Sequence, residues 1–70
     1  MNKYYVRVLD QNFLMVARDE LDACVRCSKR HGITTANVTW IVSEKGFENH
    51  EDDVLIHDDL IMQALLREFM

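Results

Sequence analysis

Residues 58–70, DDLIMQALLREFM, set the hardest condition on how this chain can fold. Asp58 or Asp59 offers a carboxylate to the free N–H groups of a first helical turn, and its charge suits the positive end of the helix dipole. On a period of 3.6 residues, Ile61, Ala64, Leu65 and the stem of Glu68 make one stripe, while Leu60, Met62, Leu66 and Phe69 fall outside it. One sheet face cannot cover both sets. A helix apolar on more than one side needs cover on more than one side, and 70 residues leave little chain for a second layer. The expected cover is a second copy of the chain, with Leu60, Met62, Leu66, Phe69 and Met70 at a homodimer interface.

Size points the same way. A chain this short forms one domain, residues 1–70, and buries only about 60% of its unfolded surface, so association is a natural source of extra stability. The 49% apolar content is enough for a core, and no Pro-rich, Gly-rich or low-complexity tract divides it. No apolar run approaches the roughly 18 residues of a membrane span, and the first residues alternate like a strand rather than forming a signal peptide. A cytoplasmic protein without membrane contact is expected.

Residues 3–9 (KYYVRVL) and 13–18 (FLMVAR) are rich in β-branched, aromatic and aliphatic residues around Asp10-Gln11-Asn12, a hairpin signature. A three-residue loop with Asn12 left-handed puts Val6, Val8, Leu14 and Val16 on one face, and Tyr5, Arg7, Leu9, Phe13 and Met15 on the other. Residues 19–31 read as a helix capped by Asp19 and stopped by Gly32, with Leu21, Cys24, Val25 and Ser28 inward and its basic residues suiting its C-terminal end. Residues 38–43 form a third strand with Val38, Trp40 and Val42 on one side. Residues 44–53 are a polar loop, residues 54–57 a short edge strand, and the last helix follows. The two halves share an order, with Leu21, Cys24 and Val25 offset by 40 from Ile61, Ala64 and Leu65. The fold class is α+β, ββαββα: a four-stranded antiparallel sheet with two helices on one face, strand order open.

Charge divides the chain. Residues 1–35 hold six Lys/Arg and four acids, whereas residues 36–70 hold two and eight, so a net −4 is split into +2 and −6. Phosphate repulsion argues against direct nucleic-acid binding by the second half. Residues 44–59 alone carry seven acids against Lys45, and they flank Phe47. Phe47, Glu48, Glu51, Asp52 and Asp53 form the expected contact with a basic protein surface, an aromatic anchor inside a charged rim. A solubilising acidic loop is the plainer reading of the same residues.

No motif specifies a chemistry. Cys24-Val25-Arg26-Cys27 lies in the second turn of its helix rather than at the N-terminus that would activate a thiol, so a reduced structural pair is expected. His31 extends it to CxxCxxxH, but three ligands from one straight helix would need unusual packing, and no second CxxC completes a zinc site. His50 and His57 with nearby carboxylates are the alternative, a small divalent-metal-binding protein, although residues 50–59 lack calcium-loop or HExxH spacing. Neither Gly32 nor Gly46 builds a phosphate loop. No catalytic residue, metal ligand or cofactor is assigned. The strand, acidic cap and helix pattern is similar to that of many small phage-encoded or accessory proteins that inhibit or adapt a host enzyme. The functional expectation is a non-enzymatic, self-associating regulator, adaptor or inhibitor.

Overall fold

The computed structural model describes residues 1–33 and 37–68. In chain order the elements are β1 (Asn2–Val8), β2 (Gln11–Ala17), α1 (Glu20–His31), β3 (Thr39–Ser43), β4 (Val54–His57) and α2 (Asp58–Glu68). The strands form one antiparallel sheet in the order β2-β1-β3-β4. The α+β class and ββαββα order read from the sequence are therefore the ones observed. Each half is a hairpin whose second strand feeds a helix, and the hairpins meet through their first strands, β1 and β3.

The β1–β2 register departs from the expected one. Val8 faces Gln11 across a two-residue turn in which Leu9, not Asn12, takes a positive φ of 50°. Val6 then pairs with Phe13 and Tyr4 with Met15, so Met15 and Ala17 point inward while Leu14 and Val16 turn to the open side. A slip of one residue exchanges the faces of a strand. The FLMVA run is apolar at both parities and could not choose between them. Ala17, fully buried, is the small residue that lets α1 close onto the sheet.

The core joins Tyr4, Val6, Val8, Met15, Ala17, Trp40, Val42 and Ile56 of the sheet with Ala23, Cys24, Val25 and Cys27 of α1 and Ile61 of α2. α1 leaves the edge strand β2 and must reach β3 beyond β1, so it lies across all three strands. Its ends are well made. The Asp19 carboxylate accepts the Asp22 N–H at 2.8 Å, and Gly32, at φ 66°, donates its N–H to the Ser28 carbonyl in the left-handed turn that suits a residue without Cβ. Asp22 in turn accepts from the Arg18 backbone and from Arg26; burial opposes its charge, but those two donors outweigh it and hold the carboxyl below its ordinary range.

α2 sits to one side, against β4 and α1. Its start differs from the expected cap. The Asp58 carboxylate is buried and accepts the Asn37 N–H at 2.7 Å, while the Asp58 N–H donates to the Val38 carbonyl at 3.1 Å. Asp58 thus ties the approach to β3 to the start of α2 instead of capping the helix. The Asp59 N–H faces His57 Nδ1 at 3.3 Å, and Asp59 itself is exposed.

Candidate interaction surfaces

Three regions carry the residues that the sequence singled out. The first is the outer side of α2. Leu60, Met62 and Leu66 are 48%, 49% and 60% exposed, and Ala64 and Leu65 are only half-buried. Just before them, Leu55 and Val54 are exposed on the edge strand β4. Phe69 and Met70, expected in the same interface, lie outside the described residues. A helix with this many unburied large side chains has most of its favourable desolvation still to gain, about 1.5 to 3 kcal/mol for each one that a partner covers.

The second region is the acidic loop, residues 44–53, which folds back on the open face of the sheet. Phe47 is half-buried, with its ring edge-on to Tyr5 at a centroid distance of 5.0 Å. Asp53 Oδ2 accepts from an Arg7 terminal guanidinium nitrogen at 2.7 Å, and His50 Nδ1 lies 2.9 Å from that nitrogen and 3.0 Å from the carboxylate. Asp52 closes the loop from inside: one oxygen accepts the Ser43 hydroxyl at 2.7 Å, the other the Glu44 N–H at 2.9 Å. Those two donors hold the Asp52 carboxyl below its ordinary range. Glu51 pairs with Lys45 at 3.0 Å in solvent, and Glu48 is exposed. Asp52 and Asp53 therefore shape the loop, so replacing them together with Glu51 would disturb the fold. For Asp53 the sequence could not show this, because its partner Arg7 is 46 residues away and only the sheet brings it near.

The third region comprises the cysteines and histidines. Cys24 and Cys27 are both free and wholly buried. Burial pushes their thiols up to about 12 and about 11, with each charge also disfavoured at Cys24 by Cys27 and Glu20. That is the reverse of an activated thiolate. His31 stacks on Phe13, ring centroids 4.2 Å apart, which accounts for its position at the end of α1.

The two expected metal-binding histidines part company. His50 sits against the Arg7 guanidinium, a poor place for a cation. His57, Asp58 and Asp59 each bring one ligand-capable atom within 4.8 Å of the others, with His57 Nδ1 3.0 Å from Asp58 Oδ1 and 3.4 Å from Asp59 Oδ2. Asp58 already serves Asn37 through its other oxygen, and the positive end of α2 opposes a cation there.

No helix among the described residues is long and apolar enough to cross a membrane. Compared with protein-family models, curated proteins and solved structures, the chain matches none of them.

Proposed function

We propose that this chain is a non-enzymatic protein-interaction module that self-associates through the outer side of α2 and acts in the cytoplasm as a regulator, adaptor or inhibitor of another macromolecule. One observation carries the reading: α2 is the more apolar of the two helices, yet Ile61 is its one fully seated apolar side chain among the described residues, with Leu60, Met62 and Leu66 left in solvent. Monomeric proteins seldom leave such a group unless another surface covers it. Val54, exposed on the same face of β4 as the buried Ile56, would enlarge the same contact. Two unpaired cysteines suit a reducing compartment. The acid-rich second half, with Glu44, Glu48 and Glu51 pointing outward, favours a basic partner surface and would speed its encounter at low salt.

Sedimentation equilibrium at micromolar concentration tests self-association. The expected result is a dimer of the 8.3 kDa chain, converted to monomer by Met62→Glu with Leu66→Glu while the circular dichroism spectrum is kept. A wild-type chain that stays monomeric with an ordered α2 overturns it.

A further inference from the structure

The edge of the sheet farthest from β4 is β2, paired with β1 alone among the described residues. Natural edges are usually short, bulged, or guarded by charge or proline, because a bare edge invites another strand. β2 has none of these guards. It runs seven residues, Gln11–Ala17, in unbroken register with β1, and its sequence QNFLMVA contains no charged residue and no proline. Its free backbone groups follow from that register. Val8 and Gln11 close a two-residue turn as a hydrogen-bonded pair, and bonded pairs alternate along an antiparallel ladder. Phe13, Met15 and Ala17 therefore turn their N–H and C=O groups toward β1, whereas Asn12, Leu14 and Val16 turn theirs outward.

The outward-bonding residues also carry the exposed side chains, Leu14 and Val16 being more than half exposed on the open side of the sheet. On the helix side an open groove of about 440 Å³ lies between Leu14, Met15 and Val16 and the second half of α1. α1 runs back along β2: Asp22, in its first turn, accepts the Arg18 N–H at 3.0 Å, and His31, at its end, stacks on Phe13. Met15 and Val16 lie midway along this overlap. Charge changes sign over the same distance. The exposed cap Asp19 and an acidic first turn with Glu20 and Asp22 stand at one end, and a basic last turn with exposed Arg30 stands at the other. Between them Arg26 is paired with Asp22 at 2.8 Å, so the middle of the helix is neutral.

We propose that β2 pairs antiparallel with β2 of a second copy about a two-fold axis at Met15, so that two sheets become one. In this register Leu14 stands opposite Val16 of the second copy and Val16 opposite its Leu14. Their outward N–H and C=O groups exchange hydrogen bonds, and their exposed aliphatic side chains meet in cross-strand pairs. The axis also reverses the second α1, which sets the acidic first turn of each helix toward the basic last turn of the other. Centring the axis on Leu14 would instead place Val16 opposite polar Asn12 and bring the two basic last turns together. The strand is thus matched to its own image in bonding, side chains and charge. This contact is independent of the one at α2 and lies at the far edge of the sheet, so it links α2 dimers end to end. A single pair of edge strands makes a small interface, and association is expected at about 0.1 to 1 mM rather than micromolar.

The test starts from the chain carrying Met62→Glu and Leu66→Glu, which removes the α2 contact, so that the two contacts fail separately. Sedimentation equilibrium at about 0.5 mM should show this parent chain as a dimer, and amide exchange at Asn12, Leu14 and Val16 should be slower than in a dilute sample. Adding Leu14→Lys with Val16→Lys sets like charges opposite each other and should weaken association at least about tenfold. Adding Leu14→Lys with Val16→Glu instead sets each Lys opposite a Glu and should restore the dimer, a rescue that only this register gives. Both positions are exposed, so the monomer fold is kept. If the Lys–Lys variant melts early, the Lys–Glu variant and the exchange of the parent amides read the same contact. A parent chain that stays monomeric up to about 1 mM, a dimer that the Lys–Lys pair leaves intact, equal weakening by both pairs, or protection confined to other strands overturns the proposal.

Discussion

The two halves of this chain share one plan, hairpin then helix, and differ in how the helix is seated. α1 buries Ala23, Cys24, Val25, Cys27 and Ser28. α2, one residue shorter, buries Asp58 and Ile61 and leaves Leu60, Met62 and Leu66 in solvent. The less apolar helix is the better buried. The cause is topological: α1 must carry the chain from the edge β2 over β1 to β3, so it crosses the sheet, whereas α2 follows the opposite edge strand and leans on β4 and α1. Burial depends on where a helix lands as much as on what it is made of.

The sharpest break in the comparison lies within α2 itself. Ile61→Ala should cost about 2 to 4 kcal/mol in urea unfolding, as for a large core side chain truncated to leave a cavity, while Leu66→Ala changes monomer stability by less than about 0.5 kcal/mol. Equal effects at both sites would mean that α2 is as fully docked as α1.

On the α1 side, Cys24→Ala with Cys27→Ala should cost about 1 to 3 kcal/mol through lost packing and abolish no metal binding. The thiols also impose a pH dependence. Their folded values, about 12 and about 11, lie above the ordinary 9, so the folded chain holds both protons more tightly than the unfolded chain does. That stabilisation is complete below pH 9 and is lost as pH rises from 9 toward 12. Melting curves across this window should fall more steeply for the wild type than for the double-alanine variant, and a thiol reagent at pH 8 should react only at the rate of unfolding.

A smaller effect tests the loop that the second half lays over the sheet of the first. Asp53→Asn should cost about 1 kcal/mol, since the Arg7 pair is less than a quarter exposed on either side and its loss weakens the hold on the loop. The change should appear as a shifted Tyr5 ring environment by NMR, because Phe47 rides on the same loop. An unmoved Tyr5 would mean that the Phe47 contact holds the loop without the ion pair.

The smallest stability effect goes with the largest change in assembly. Met62→Glu with Leu66→Glu should leave the melting of the monomer within about 0.5 kcal/mol and shift the sedimentation of the chain from dimer to monomer.

The sequence alone determined the class of fold, because the signals it depends on are local. Strand runs, the Asp19 cap, the Gly32 stop and the boundaries of residues 54–57 lie within a few residues of the structure they specify, and each was legible. The surplus of apolar residues on α2 was equally plain from periodicity, although which of them stay uncovered depends on its neighbours.

Tertiary structure decided the rest wherever two local choices were equivalent or the partner was distant in sequence. The β2 face was undecidable in an apolar run, and the Leu9 turn settled it in favour of Met15 and Ala17. Asp58 looked like a helix cap, but folding placed Asn37 within reach of its carboxylate. Asp52, Asp53 and Phe47 looked free for a partner until the sheet brought Ser43, Arg7 and Tyr5 to them. The unguarded edge of β2 exists only because β1 pairs with β3 on its other side. A polar side chain takes whichever partner the fold brings close, and periodicity carries no record of that.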